Sequence, residues 1–538
     1  VSSARFGTRA KSRLDSLKRV TNTLETIREQ EGQIMLQSSK TKRTDRALAA
    51  RMTKTDAAGL RTRILQATVL WLVAIAVALP FVMRSHAQGP PAQSHGHRER
   101  PRDFDAQIRA NANDLFEDGR HTFRFDTFGD EIFWGDTLQL HKAIEGATLG
   151  GVGPGVSPNT ALALGLKVDV DALPRPLINQ LNHGRVNLDD PATTLALLKL
   201  DAIVGVKGFF QGNTLNSVGL TCAVCHSTVD NSLAFGIGHR LDGWANHDLD
   251  VGKVIAAAPD LSVFANLLGV SQDQVRTVLN SWGPGKFDAE LLLDGKTANP
   301  QQITDGVVTG TNVPGATLIP NAFGLAGFNQ HTWTGAWGTI SYWNVFVAAL
   351  ELRGVGRFFD PRLNNAAKFP IAAANGFADL PHIDPDQDRI TKKLPELQFY
   401  QLAIPAPEPE PGVDFNAAAA ARGDELFSGK AGCNNCHVEP LWTEPGWNLH
   451  TPAEIGIDSF QADRAPDGVY KTMNLAGVFV RENGRFMRAS NKGRYYHDGR
   501  FATLLDVVNH YNTRFALNLT AGEKSDLVEY LKSLPTRE

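Results

Sequence analysis

The chain has 538 residues, 42% of them hydrophobic and 21% charged, with 49 Gly and 28 Pro. That composition excludes collagen-like, wholly disordered and multi-spanning chains, and at roughly 150 residues per domain it leaves room for two to four domains. Of 54 basic and 57 acidic residues, 16 and 6 precede residue 88, so residues 88–538 carry a net charge of −13, which argues against nucleic acid as a partner.

Residues 1–51 are polar and basic without an apolar stripe. They read as an over-extended start, with Met52 the initiator, or as a cytoplasmic tail. Residues 52–87 read as a signal peptide. Lys54, Arg61 and Arg63 precede an apolar run from Ala67 to Leu79, and Ser85-His86-Ala87 forms a small-x-small site before Gln88. The competing reading is an uncleaved membrane anchor from Ile64 to Met83. Both place the remainder in the periplasm or outside the cell.

Residues 88–102 read as a linker and 103–200 as an extra N-terminal segment. A first domain is expected over 201–403, a Pro-rich linker over 404–415 and a second domain over 416–538. The loop "GATLGGVGPGVSP" lacks the Lys-Ser/Thr ending of a phosphate loop. Thr520-Ala521-Gly522-Glu523 predicts a capping box, opening a helix with Leu527, Leu531 and Leu534 on one face.

All four cysteines lie in two copies of one pentapeptide, Cys222-Ala223-Val224-Cys225-His226 and Cys433-Asn434-Asn435-Cys436-His437. C-x-x-C-H is the attachment signature of c-type haem: two thiols reach the porphyrin vinyl groups and the adjacent His binds the iron. Zinc wants four clustered ligands, and these pairs are over two hundred residues apart. A redox dithiol does not need the following His. The expected cofactors are two covalently attached haem c groups.

The segments "TWTGAWGTISYWNVFVAALE" and "YHDGRFATLLDVVNHYNTR" align on Gly335/Gly499, Trp337/Phe501, Thr339/Thr503 and Ile340/Leu504. Each follows a C-x-x-C-H, which predicts two haem-binding units in tandem.

"ARGDELFSGKAGCNNCH", "YYHDGRFATLLDVVNHY" and "LTAGEKSDLVEYLKSL" resemble the C-terminal half of bacterial di-haem cytochrome c peroxidases, whose relatives include methylamine dehydrogenase-maturing enzymes and rubber oxygenases. The resemblance covers roughly 421–534 well and 200–400 more weakly. It implies a mainly α fold with two tandem cytochrome-c-like haem domains and long loops, to which this chain adds the extra N-terminal segment. It also implies hydrogen peroxide or dioxygen meeting the N-terminal haem. Electrons would arrive through the C-terminal haem from a small donor protein of cytochrome c or cupredoxin type.

The resemblance points to position 511, fourteen residues after His497, for the sixth ligand of the second iron. Tyr511 stands there. Helical spacing places Tyr511 on the face of Leu504 and Val508 and turns His510 away. A core aromatic is the other reading of Tyr511, and Met473 and Met487 are further candidate ligands. The matched position in the first unit is Val347, which cannot bind iron; His239 and His247 are loop candidates there. Glu351 is the expected distal acid–base residue, against the alternative of a salt bridge with Arg353. Trp343 or Asn344 stands where relatives carry Gln. Trp333 and Trp337 are candidate electron relays, or simply core. Arg494 replaces a usual Pro, and "RENGRFMRASNKGR" is an insertion ahead of His497, which argues against the calcium site relatives carry near this loop.

A peroxidase-type oxidoreductase is the leading expectation. A di-haem oxygenase or protein-oxidising maturation enzyme is the second, and an electron carrier with both irons six-coordinate is the third.

Overall fold

The computed structural model describes residues 102–298, 303–304, 307–308 and 313–535. The start-site, signal-peptide and anchor readings lie outside the described residues. Helix predominates over a few short strands. Among the described residues no helix is long and apolar enough to cross a membrane.

Helix α1 (Arg102–Phe125) runs from the start of the described chain. An antiparallel hairpin, β1 (Val206–Gln211) and β2 (Thr214–Leu220), leads into the one-turn helix α2 (Ala223–His226), which holds the first motif. Then come α3 (Ile340–Phe346), α4 (Leu394–Ala403), α5 (Ala417–Ser428), α6 (Leu504–Arg514) and α7 (Ala521–Lys532). Thr520 accepts from the Glu523 N–H and Glu523 caps it in return, so the predicted capping box opens α7 and buries Leu527, Leu531 and Leu534.

Two helix pairs share one construction. On α1, a Cβ at Gly119 would lie 2.0 Å from the Glu396 carbonyl oxygen and 2.8 Å from Tyr400 Cβ of α4. On α5, a Cβ at Gly423 would lie 2.1 Å from the Asp526 carbonyl oxygen and 2.7 Å from Tyr530 Cβ of α7. Only a residue without Cβ lets the backbones cross this closely. One turn beyond each glycine a phenylalanine packs on that tyrosine: Phe123 on Tyr400 at 5.6 Å, and Phe427 on Tyr530 at 5.0 Å. Each tyrosine hydroxyl then donates to an acid, Tyr400 to Asp242 at 2.6 Å and Tyr530 to Glu439 at 3.0 Å. The stretch expected as an extra N-terminal segment thus opens with a helix that packs on the end of the first expected haem domain.

The principal buried apolar clusters follow these pairs, one drawn from Phe123 to Ile404 and one from Phe427 to Leu534. Arg464 joins the regions. Fully buried, it pairs with Asp288 at 2.7 Å and Asp294 at 2.8 Å.

The aligned repeat is built twice in the same way. Gly335 and Gly499 have φ of +65° and +79°, a left-handed turn that glycine adopts without strain. Thr339 and Thr503 then cap α3 and α6, accepting from the Tyr342 and Asp506 N–H groups. Ile340 and Leu504 begin the two helices as buried residues.

Candidate functional site

Both motif histidines are oriented alike. His226 Nδ1 lies 3.1 Å from the Pro320 carbonyl and His437 Nδ1 2.9 Å from the Trp442 carbonyl. A carbonyl accepts only, so Nδ1 carries the proton and Nε2 presents its lone pair, the tautomer an iron ligand needs. Burial pulls both imidazoles down to about 4, which keeps them neutral.

None of the four cysteines is in a disulfide. Burial pushes the Cys222 and Cys225 thiols up to about 12 and Cys433 up to about 11. A redox dithiol needs a thiolate near neutral pH, which these raised thiols do not supply. Cys436 Sγ lies 3.9 Å from His450 Nε2, which is 2.6 Å from Glu444. With Glu444 and His450, Cys436 makes a three-ligand cluster that does not include Cys433.

The second motif opens on a cavity of about 620 Å³. Cys433, Cys436 and His437 border it, with walls from Leu504, Val508, Leu527 and Leu531. Two thiols, an imidazole with a free Nε2 and an apolar enclosure fit a haem. At the first motif the donor set is the same, but the surroundings are packed: the Trp343 ring meets His226 at 5.0 Å and His331 at 4.7 Å, both edge to face.

Tyr511 and Met473 border the large cavity. The Tyr511 phenol is raised chiefly by burial, opposed by Tyr496, with both second-motif thiols adding to it. His510 points elsewhere, its Nε2 bonded to the Ile455 carbonyl at 2.8 Å. Trp333 also borders the cavity, its indole N–H donating to the Leu318 carbonyl at 2.7 Å. Val347 begins a widened helical turn, Val347–Glu351, closed by a bond from the Leu352 N–H to the Val347 carbonyl.

Glu351 ends that turn and borders a cavity of about 50 Å³ among Phe133, Trp134, Leu350 and Phe377. Burial pushes its carboxyl up to about 8, and Glu290 adds to the shift. No ion pair joins it to Arg353, which lies over the Phe133 and Phe377 rings at 5.4 and 5.2 Å. Burial is the main cause of the raised Cys225 thiol, and Glu351, when ionised, adds to it.

His239 is at the surface, 2.9 Å from Asp171. His247 is buried, with Nε2 accepting from Arg481 at 3.3 Å. At the loop where relatives carry calcium and where the insertion argues against it, Asp458, His497 and Asp498 offer ligand atoms within 4.8 Å of one another. Arg500, however, pairs with both carboxylates and offsets one of their two negative charges.

Three residues escaped sequence reasoning. His331 is buried with Nε2 unpartnered, and burial pulls it down to about 3 with His226 adding. Its position two residues before Trp333, inside the first repeat's approach, was the available signal. Glu290 is 1% exposed, accepts from the Trp337 indole at 3.0 Å and is pushed up by burial to about 7. No sequence pattern marks it. Arg481 borders the large cavity and lies within the arginine-rich insertion.

No protein-family model matches the chain. The chain is 29% identical over 156 residues to cytochrome-c peroxidase IdrP1 of Denitromonas iodatirespirans, a match covering 23% of this chain and 42% of that one. Among solved structures, hydrazine synthase of Kuenenia stuttgartiensis aligns with 43% of this chain and 78% of its own, at 16% identity and a TM-score of 0.25. A MauG-like protein associated with microbial copper homeostasis aligns with 49% of this chain and 89% of its own, at 18% identity and a TM-score of 0.26. The chain thus spans less than half the length of the curated relative it matches.

Proposed function

We propose that this chain is an exported di-haem oxidoreductase of peroxidase type, reducing hydrogen peroxide to water with two electrons and two protons. The observation that carries the proposal is the twice-used presentation of a neutral motif histidine, Nδ1 tied to a backbone carbonyl and Nε2 left for a metal. The partial match to a cytochrome-c peroxidase supports the choice of reaction class.

Cys222, Cys225 and His226 would hold one haem and Cys433, Cys436 and His437 the other, each supplying an iron that exchanges single electrons. Each would belong to a helical unit, the first using α1 and α4 and the second α5 and α7. The units differ in what accompanies the motif. Glu351, at the end of the helical turn that follows α3, holds a proton on its carboxyl at neutral pH and would protonate the outer oxygen of peroxide as the O–O bond opens. Its cavity is lined mostly by apolar side chains, among them Phe133, Trp134, Leu350 and Phe377, which favours the protonated form of the carboxyl. In the second unit Tyr511 faces the cavity from the position matched to Val347, so this unit would serve electron entry from a small donor protein. Trp333, bordering the same cavity, would carry electrons toward His226.

The test is peroxide consumption by the purified full-length chain with a reduced small cytochrome c. Turnover proportional to donor oxidation, two donors per peroxide, is expected. Absence of donor oxidation with both haems in place overturns the proposal.

A further inference from the structure

The insertion Arg481–Arg494 contains four arginines, and three of them are anchors. Arg485 pairs with Asp414 at 2.6 Å. Arg488 donates from its guanidinium to the Leu162 and Ala163 carbonyls at 2.8 and 3.0 Å, and from its backbone N–H to Asp248 at 2.9 Å. Arg494 donates to the Pro284 carbonyl at 2.8 Å and the His247 carbonyl at 3.2 Å. These bonds fasten the insertion to segments far away in sequence and fix where its first residue lies.

Arg481, that first residue, has a different setting. Its guanidinium donates to the Arg494 carbonyl at 3.2 Å and to His247 Nε2 at 3.3 Å, and lies 5.7 Å over the Tyr495 ring. Among the described residues it has no ion pair with a carboxylate. Glu482 beside it is turned to the Tyr495 hydroxyl and the Leu504 N–H. Burial pulls Arg481 down to about 10, and Arg494 adds to the shift. Arg481 is among the residues that border the cavity opening on Cys433, Cys436 and His437. Arg481 is partly buried, a setting in which a cation without a counter-ion is costly, and a guanidinium is shaped to hold a carboxylate with two parallel bonds. Lys471, the other interior cation on this wall, spends two of its three N–H donors on Thr443 Oγ1 at 2.7 Å and the Glu444 carbonyl at 2.8 Å. It has one left and cannot grip a carboxylate with two bonds, whereas the Arg481 guanidinium keeps three of its five.

We propose that Arg481 is the carboxylate-binding residue of this cavity, taking a propionate of the cofactor attached at Cys433 and Cys436. This assignment rests on the haem reading of the second motif. It gives the insertion a purpose: the anchors at Arg485, Arg488 and Arg494 set the position from which Arg481 reaches the cofactor.

The experiment uses the full-length Cys433→Ala/Cys436→Ala variant, with His437 kept, titrated with haemin and with haemin dimethyl ester and followed by Soret absorbance. Haemin should bind about 10- to 100-fold more tightly than the ester, the range of a charge-assisted hydrogen bond. Adding Arg481→Leu should remove that preference, and Arg481→Lys should restore part of it. Equal affinities for haemin and ester, unaffected by Arg481→Leu, overturn the proposal while leaving the haem reading intact. Binding of neither compound overturns the haem reading itself. In the holoprotein with both motifs intact, Arg481→Leu should lower the midpoint potential of one haem only, because removing a nearby positive charge favours the ferric state. Two unchanged potentials also overturn the proposal.

Discussion

Trp333 and His497 are tied to opposite sides of a single residue. The Trp333 indole N–H donates to the Leu318 carbonyl at 2.7 Å, and the Leu318 N–H donates to the His497 carbonyl at 2.6 Å. The alignment of Gly335 with Gly499 makes these equivalent positions, each two residues before its glycine. The two repeats therefore meet at Leu318, and both residues border the large cavity. Replacing Trp333 with Leu should slow electron transfer between the haems, followed by rapid mixing of the reduced protein with peroxide. Trp333→Phe, which keeps a ring but loses the donor, should cost less. Equal rates in all three proteins would remove Trp333 from the route.

Covalent stoichiometry follows from the motifs. Denatured mass spectrometry should show the chain plus two haems, and Cys433→Ala/Cys436→Ala should leave one. Zinc in place of iron would contradict the motif reading.

Glu351 and Glu290 link activity and stability to pH. Burial raises both folded carboxyls above the ordinary 4.5, to about 8 and about 7. The unfolded chain releases these protons near pH 4.5, while the folded chain keeps them. The stabilisation from holding them is therefore complete below about pH 4.5 and is lost as pH rises toward 8. Glu351→Gln should raise thermal stability relative to the parent by an amount that grows across that window. The same substitution should slow reaction with peroxide by roughly 10²–10⁴, and the parent rate should fall as pH rises through about 8. A parent rate indifferent to pH there would rule out Glu351 as the proton donor.

Tyr511→Phe should change the spectrum of the haem at Cys433–His437 and leave the other unchanged. If neither spectrum moves, Met473, which borders the same cavity, is the next ligand to test.

Gly423→Ala should destabilise the fold by about 1–3 kcal/mol, the usual cost of forcing atoms into a filled space. The new Cβ would lie 2.1 Å from the Asp526 carbonyl oxygen, so α5 and α7 must part. Thermal unfolding measures this, and a melting temperature equal to the parent's would deny the close crossing.

Features that depend on local spacing were legible from sequence. The C-x-x-C-H pair, the alignment of Gly335 with Gly499 and of Thr339 with Thr503, the capping box at Thr520 and the helix face that carries Tyr511 all follow from residues a few positions apart. The pairing of α1 with α4 was hidden because Gly119 and Tyr400 are brought together only by tertiary packing. Gly-x-x-x-Phe occurs on both α1 and α5, yet four residues are too short a pattern to signal a repeat. Glu290 was invisible for a related reason: its partner Trp337 and the nearby Arg464 come from distant segments. The widened turn at Val347–Glu351 also escaped, since nothing in "VAALE" departs from ordinary helix spacing.

The proposed function requires two similarly built units to carry differently tuned irons, one reactive and one for electron entry. Electron paramagnetic resonance of the oxidised and half-reduced full-length protein, with and without cyanide, tests it most directly. The account predicts two distinct ferric signals, with only the one lost in Cys222→Ala/Cys225→Ala responding to cyanide. Two equivalent low-spin signals, neither altered by cyanide in either redox state, would contradict it and leave an electron carrier.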